Sequence, residues 1–422
     1  MQVPLKDLPR SIWALFAVRL VIAIGNFVFP FLTLILTVRL GWPADKTGIF
    51  LTAMQAAALP GVLVGGKLSD AIGRKKIIVT CQAAAVILFI ASLLVGFKPI
   101  LPFLIAGASV SLAMTWPISG ALVADLVPPD KRKSAYALLY WGNNIGFSIG
   151  PLAAGFLFHR APELMFLGNA CALSVSIFVM TKFVPETRGP KAAIAISHET
   201  NDENDGASKK GESSAEADYK GSLFSVLRQR PTILMFSLLV AIMNFVYSQY
   251  TFSLPLYLNE KLGESGAEIF GSAMTVNGLT VVLFTLLLSR MTSRTPVLIL
   301  MAVASALYAI GFGMLSLPPS FLFVMVSTVI WTLGEILSAT NINVYVASKT
   351  PASHRGRVNS LVSIVTNMGS LSGPVIAGLI IRAGGTGSVW PIVFFIAMAA
   401  SVLMVGLGAY DRSLGPGSRH RV

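Results

Sequence analysis

Gly65-Gly66-Lys67-Leu68-Ser69-Asp70-Ala71-Ile72-Gly73-Arg74-Lys75-Lys76 is a short, charge-dense segment between two long apolar stretches. About 20 apolar residues span a bilayer, so charges packed into so short a loop mark a turn at a membrane surface. Lys67, Arg74, Lys75 and Lys76 assign that surface to the cytoplasm, the side on which Lys and Arg are retained. Gly65, Gly66 and Gly73 allow close helix approach and a tight turn. Asp70 and Arg74 are opposite charges one helical turn apart, placed to pair with each other or with neighbouring elements.

The composition agrees with a chain that lives in lipid. Of the 422 residues, 54% are hydrophobic and only 12% charged, against roughly 25% charged in a soluble domain. A net charge of +13 would fit a nucleic-acid partner if the basic residues shared one soluble face. They recur instead in the loops on one side of the membrane, so the charge reads as topology and no nucleic acid is expected. Cys81 and Cys171 sit in apolar spans and give no disulfide framework. The four histidines lie at span ends or in loops, and neither a metal site nor a cofactor is expected. No Gly-x-x-x-x-Gly-Lys-Ser/Thr loop occurs, which argues against ATP-driven pumping, and no Ser-His-Asp constellation suggests an enzyme.

Hydropathy predicts twelve spans: 11–38, 45–69, 77–97, 100–126, 132–158, 162–183, 231–258, 266–289, 295–316, 319–348, 356–381 and 388–410. The first is too long for a cleavable signal peptide and reads as a retained helix. Lys6, Arg10, the Lys67–Lys76 segment, Lys131 to Lys133, Arg290, Arg294, Lys349 to Arg357 and Arg412 fall on one side. Both termini are therefore expected in the cytoplasm of a multi-pass protein of the inner or plasma membrane. Residues 185–220 are polar and nearly devoid of large apolar side chains, the composition of a flexible linker. Leu223, Phe224, Val226 and Leu227 among basic neighbours then suggest a short amphipathic helix on the inner leaflet. The expected organisation is a six-helix bundle over 1–184, a cytoplasmic linker over 185–230 and a second six-helix bundle over 231–422.

The two halves repeat. Asn144-Ile145-Gly146, Gly150-Pro151 and Ala154-Gly155 correspond to Asn367-Met368-Gly369, Gly373-Pro374 and Ala377-Gly378, always 223 residues apart. Upstream, Ala124, Pro128, Arg132 and Leu138 correspond in the same register to Ala347, Pro351, Arg355 and Leu361. A fixed register through a loop and a Gly-Pro pair points to two related, pseudo-symmetric halves, an architecture that places a site near the midplane.

At these residues the chain resembles the major facilitator superfamily over nearly its whole length. Gly66, Leu68, Asp70, Gly73, Arg74 and Lys75 match that family's signature between helices 2 and 3. Gly146, Gly150, Pro151 and Gly155 are similar to the fifth-helix signature of its proton-driven antiporters, with Ala154 where Gly is usual. Tyr140-Trp141 with Asn143-Asn144, and Trp331-Thr332-Leu333-Gly334-Glu335, further resemble the LmrP-type multidrug/proton antiporters. The resemblance implies that Asp70 faces the start of helix 11, that Arg74 pairs with Asp125, and that these contacts gate the cytoplasmic side. Two family features are missing: no arginine stands in Ala108 to Gly120, and Leu138-Leu139 stand just before Tyr140-Trp141 where the resemblance implies an acidic residue.

Glu335 is accordingly the surviving candidate for proton coupling. It lies about 24 Å into the tenth span at ~1.5 Å per residue, where an ionised carboxylate needs a proton, a partner or an aqueous cavity. Trp331, Ser338, Ala339, Ile342 and Asn343 share its helical face. Other polar or aromatic residues inside spans are candidate cavity lining: Arg19 and Asn26 in the first, Gln55 in the second, Thr115 and Trp116 in the fourth. Tyr140 and Asn144 in the fifth span, and Asn244, Tyr247 and Thr251 in the seventh, complete the set. The expected function is efflux of small hydrophobic or amphipathic compounds against protons by a monomer in the bilayer. A lipid or glycolipid flippase of the same fold, an importer of sugars or metabolites, and a non-transporting receptor are the competing readings.

Overall fold

The computed structural model describes residues 7–187, 231–350 and 355–413, and among these there are helices and connecting turns but no strand. The linker and its expected amphipathic helix lie outside the described residues. Twelve long helices follow in order. They are α1 (Arg10–Arg39), α2 (Ala44–Ile72), α3 (Arg74–Val95), α4 (Leu101–Leu126), α5 (Pro129–Arg160) and α6 (Glu163–Phe183). After the linker come α7 (Pro231–Leu262), α8 (Ser265–Met291), α9 (Val297–Met314), α10 (Phe321–Lys349), α11 (Arg355–Gly384) and α12 (Val389–Ser413). Eleven of them are long and apolar enough to cross a membrane. The exception is α5, 32 residues long, whose middle carries the polar Tyr140, Asn143 and Asn144 and the buried Gly142, Gly146 and Gly150. Outward-facing Leu94, 81% exposed, and Leu63, 72% exposed, are what a lipid-solvated surface requires.

The helices group into two compact units. The first holds α1 to α6 with α8 through Val282; the second holds α7, the remainder of α8 and α9 to α12. A sequence boundary at residue 231 places all of α8 in the second half. Its first part belongs to the first unit because it packs on α5: a Cβ at Gly155 would stand 2.8 Å from the Ala267 carbonyl, and Gly271 abuts the Pro151 carbonyl.

In the first unit α1 packs on α5 and α6, α3 on α4 and α6, and α2 on α4. The first helix is not continuous: it breaks between Ile24 and Val28 and ends in a π-helical turn from Ile35 to Arg39. Buried Asn169 of α6 repairs the break, its Oδ1 accepting from the backbone N–H groups of Phe27 and Val28 at 3.0 Å each. Asn169→Ala strands the buried Val28 amide and leaves the Phe27 amide only the Gly25 carbonyl, a loss of about 1–3 kcal/mol. A lowered melting temperature of the purified protein is the expected reading.

The second unit repeats this plan, α7 packing on α11 and α12, and α9 on α10 and α12. Helices α3 and α9 begin at Arg74 and Val297, 223 residues apart. The interior polar bonds keep that register. Gln82 of α3 accepts from Ser176 of α6 at 3.0 Å, and Ser305 of α9 donates to the Ala397 carbonyl of α12 at 2.7 Å. Asn144 donates back to the Tyr140 carbonyl at 2.8 Å and Asn367 to the Ser363 carbonyl at 2.7 Å. The Ser176–Gln82 and Ser305–Ala397 bonds join helices where apolar contact alone gives no advantage over lipid, while the two asparagine bonds stay within α5 and α11.

Candidate functional site

Glu335 stands on α10, about 21 Å from Phe321 at ~1.5 Å per residue. Ser320 caps the helix start by accepting from the Phe323 amide at 3.4 Å. Thr328 and Thr332 return their hydroxyls to carbonyls one turn back, so these two buried hydroxyls are satisfied within the helix. Packing of α9 is close: Cβ atoms at Gly311 and Gly334 would stand 2.8 Å from Trp331 and 2.7 Å from the Ala304 carbonyl. That approach brings Phe312 of α9 up to Trp331 and Tyr308 up to Gly334.

Around the carboxylate the second unit builds an aromatic cage. The Tyr247 hydroxyl of α7 donates a hydrogen bond to Glu335. Tyr247 and Tyr250 share a hydroxyl hydrogen bond, as do Tyr308 and Ser338. Fully buried Trp331 stacks on Tyr250 at 5.6 Å and on Phe312 at 5.5 Å between ring centroids, and Tyr247 meets it edge-on at 6.0 Å. The Trp331 indole N–H has no hydrogen-bond partner among the described residues. Tyr250 reaches Trp331 because α7 tightens into a 3-10 turn at Ser248–Tyr250, which changes the side-chain register that a continuous helix would give. An acid held by a tyrosine among π faces can exchange a proton.

The other candidates separate into groups. Arg19, Thr115 and Trp116 come together in the first unit, the Arg19 guanidinium lying 5.1 Å from the Trp116 ring centroid. Asn244 instead joins helices, donating to the Thr366 carbonyl of α11 at 3.0 Å. Thr251 bonds back to the Ser248 carbonyl at 3.1 Å, and Asn343 is exposed on α10. Asn26 falls in the break of α1; no described contact brings it or Gln55 to either group. Tyr308 and Phe312 are the cage members that sequence reasoning left out. Their four-residue spacing on one apolar helix was the available signal.

At the cytoplasmic hinge, Gly73 has φ 118°, a conformation that favours glycine. It ends α2, so Asp70 and Arg74 belong to different helices and do not form the one-turn pair that uninterrupted spacing predicts. Asp70 is exposed and makes no ion pair among the described residues of the first unit. Arg74 Nη1 lies 2.7 Å from Asp125 Oδ2, a close charge pair without aligned hydrogen-bond geometry. Glu186, which composition groups with the linker, caps α3: its carboxylate accepts from the Lys75 and Lys76 amides at 3.0 Å each. The Lys75 ammonium donates to the Thr181 and Val184 carbonyls at 2.8 and 2.7 Å. Gly66 meets no atom within 4 Å of a built Cβ, so packing inside the unit does not account for it. Arg74→Gln leaves half-buried Asp125 uncompensated, and a loss of roughly 1–3 kcal/mol is expected to lower the melting temperature. Asp125→Asn added to it should cost little more if the two residues act as a pair.

Two helical units with eleven helices long and apolar enough to cross a membrane, among the described residues, define a polytopic membrane-protein class. Residues 14–365 and 266–419 match the Major Facilitator Superfamily, and the chain belongs to that family. It is 23% identical over 405 residues to a Na(+), Li(+), K(+)/H(+) antiporter of Planococcus maritimus, covering 88% of this chain and 89% of that protein. It is 22% identical to the MFS-type transporter YhjO of Bacillus subtilis (strain 168), over 91% and 88% of the two chains. Among solved structures, a peptide transporter POT in complex with sulfate superposes with a TM-score of 0.75 at 14% identity, covering 97% of this chain and 96% of that one. The nucleoside transporter NupG gives 0.73 at 12% identity, covering 94% and 100%. At such identities the structural matches speak for the fold alone.

Proposed function

We propose that the chain is a proton-coupled antiporter that exports small hydrophobic or amphipathic, drug-like compounds by alternating access. Glu335 is its coupling carboxylate. The observation that carries this reading is the hydrogen bond from Tyr247 to Glu335 inside an aromatic cage. Proton and substrate compete for one group there: the protonated acid releases a compound that the ionised acid holds. The hinge then works as a conformational gate, with the Arg74–Asp125 pair, Asp70, Gly66 and Gly73 as its parts. Gly146, Gly150, Pro151 and Gly155 are the close-packing surface of α5. The protein acts in the plasma membrane as a monomer with cytoplasmic termini.

A second reading, exchange of monovalent metal cations for protons, is favoured by the Planococcus maritimus relative. The two are separated in proteoliposomes with an imposed pH gradient. Drug efflux predicts proton flux on adding ethidium and none on adding Na+, Li+ or K+. Metal-cation exchange predicts the reverse.

A further inference from the structure

The first unit carries a charged group that its own fold does not satisfy. Arg19 lies on α1, roughly 14 Å beyond Arg10 at ~1.5 Å per residue. It makes no ion pair and no hydrogen bond among the described residues; its one described polar contact is the face of Trp116 at 5.1 Å. Other partly buried basic groups are provided for. Arg39 donates to the Phe158 carbonyl, Arg74 pairs with Asp125, Arg132 donates to the Ala124 carbonyl and Lys349 pairs with Asp411. Nor does the fold require a cation at this position, because the residue 223 positions on is Ile242.

Arg19 faces a cavity of about 30 Å³, whose polar lining is Arg19, Gln82, Thr115 and Ser119. A water needs about 10–15 Å³ by the same measure, so the space holds two waters or one small oxyanion. Its free hydrogen-bonding capacity is nearly all donor. Gln82 spends its Oε1 on Ser176, leaving the amide NH2 without a described partner. Thr115 gives its hydroxyl to the Leu112 carbonyl, while the Ser119 hydroxyl makes no described bond. No Asp or Glu lines the space. A planar guanidinium beside an amide and a hydroxyl donor matches a carboxylate or phosphate, which accepts bidentate bonds. Trp116, 66% exposed, offers an apolar chain a surface next to that head group.

We propose that Arg19, Gln82 and Ser119 bind the oxyanion head group, carboxylate or phosphate, of an amphiphile. The inference rests on the proposal that this chain handles amphipathic compounds, and it assigns an anionic class to a site on the first unit, separate from Glu335. The test uses the full chain in phosphatidylcholine nanodiscs and radiolabelled dodecanoate, with empty nanodiscs as background. Dodecanoate and dodecyl phosphate are expected to compete, whereas dodecanol and dodecyltrimethylammonium do not. Arg19→Gln should weaken binding at least tenfold. Gln82→Glu should abolish it and raise the melting temperature, because the new carboxylate pairs with Arg19. Dodecanoate binding by the unaltered protein in the absence of ethidium-driven proton flux separates failure of proton coupling from failure of this site. Displacement by added phosphatidylglycerol identifies the bilayer as the source of the head group; its absence identifies free amphiphiles. Unchanged binding in Arg19→Gln or Gln82→Glu, or equal competition by dodecanol, overturns the proposal.

Discussion

Glu335→Gln is expected to abolish gradient-driven accumulation, lowering it at least 100-fold, while substrate still equilibrates down its own gradient. Glutamine keeps the length of the side chain and an oxygen that accepts from Tyr247. The cage of Trp331, Tyr250, Tyr308 and Phe312 therefore has no steric reason to rearrange. What disappears is the exchangeable proton. A carrier frozen in the equivalent of its protonated state can still reorient, but its cycle no longer links outward substrate movement to inward proton movement. A 100-fold loss corresponds to about 2.7 kcal/mol, within what one charged interaction in a low-dielectric site supplies.

Two readouts separate this from simple damage. The pH dependence of exchange should flatten in the variant, since the group that titrates has been removed. Binding of a neutral aromatic substrate should change less than threefold, because the π faces persist. A variant that still accumulates substrate against its gradient when driven by pH would remove Glu335 from the mechanism.

How far such a site can be read from sequence depends on which residues obey the repeat. The 223-residue register carries through α5 and α11, through the starts of α3 and α9, and through Gln82 and Ser305. The architecture was therefore legible from the Gly-Pro pairs alone. The two membrane-depth charges break that symmetry: Glu335 corresponds to Leu112 and Arg19 to Ile242. Their depth in apolar spans made them conspicuous as isolated polar residues. Their surroundings were hidden, because helical spacing on one span says nothing about which other span approaches it. Tyr308 and Phe312 reach the cage from α9, and Tyr250 reaches it through a local 3-10 turn. At the hinge the sequence left Arg74 two partners open, and the structure pairs it with Asp125. One-turn spacing between Asp70 and Arg74 assumes a continuous helix, and the positive φ of Gly73 ends it between them.

Gly150→Ala should destabilise the protein although the same change in an isolated helix stabilises it, and that reversal of sign tests the role of the α5 glycines. Ala is favoured over Gly in a helix interior by about 0.8–1 kcal/mol, so packing has to outweigh that gain. A Cβ at Gly150 would stand 2.5 Å from the Ile24 carbonyl of α1, and one at Gly146 2.5 Å from the Leu20 carbonyl. Both obstacles are backbone, which cannot swing aside as the end of a flexible side chain can. The second unit sets the same condition, with Gly369 against the Ala241 carbonyl of α7 and Gly373 against Ser248. Overpacking of this kind costs typically 1–3 kcal/mol, and Val, bulkier and disfavoured in helices, should exceed Ala. Gly150→Val and Gly369→Val are accordingly expected to lose the monodisperse peak in size-exclusion chromatography, with the Ala variants folding at a lowered melting temperature. Gly120→Ala and Gly406→Ala supply the internal control. Neither meets any atom within 4 Å of a built Cβ, so the intrinsic preference of the helix should prevail and the melting temperature should hold or rise. If Gly150→Ala behaves like those two, α1 and α5 are not held at backbone contact, and the repeated glycines must be explained by motion instead of packing.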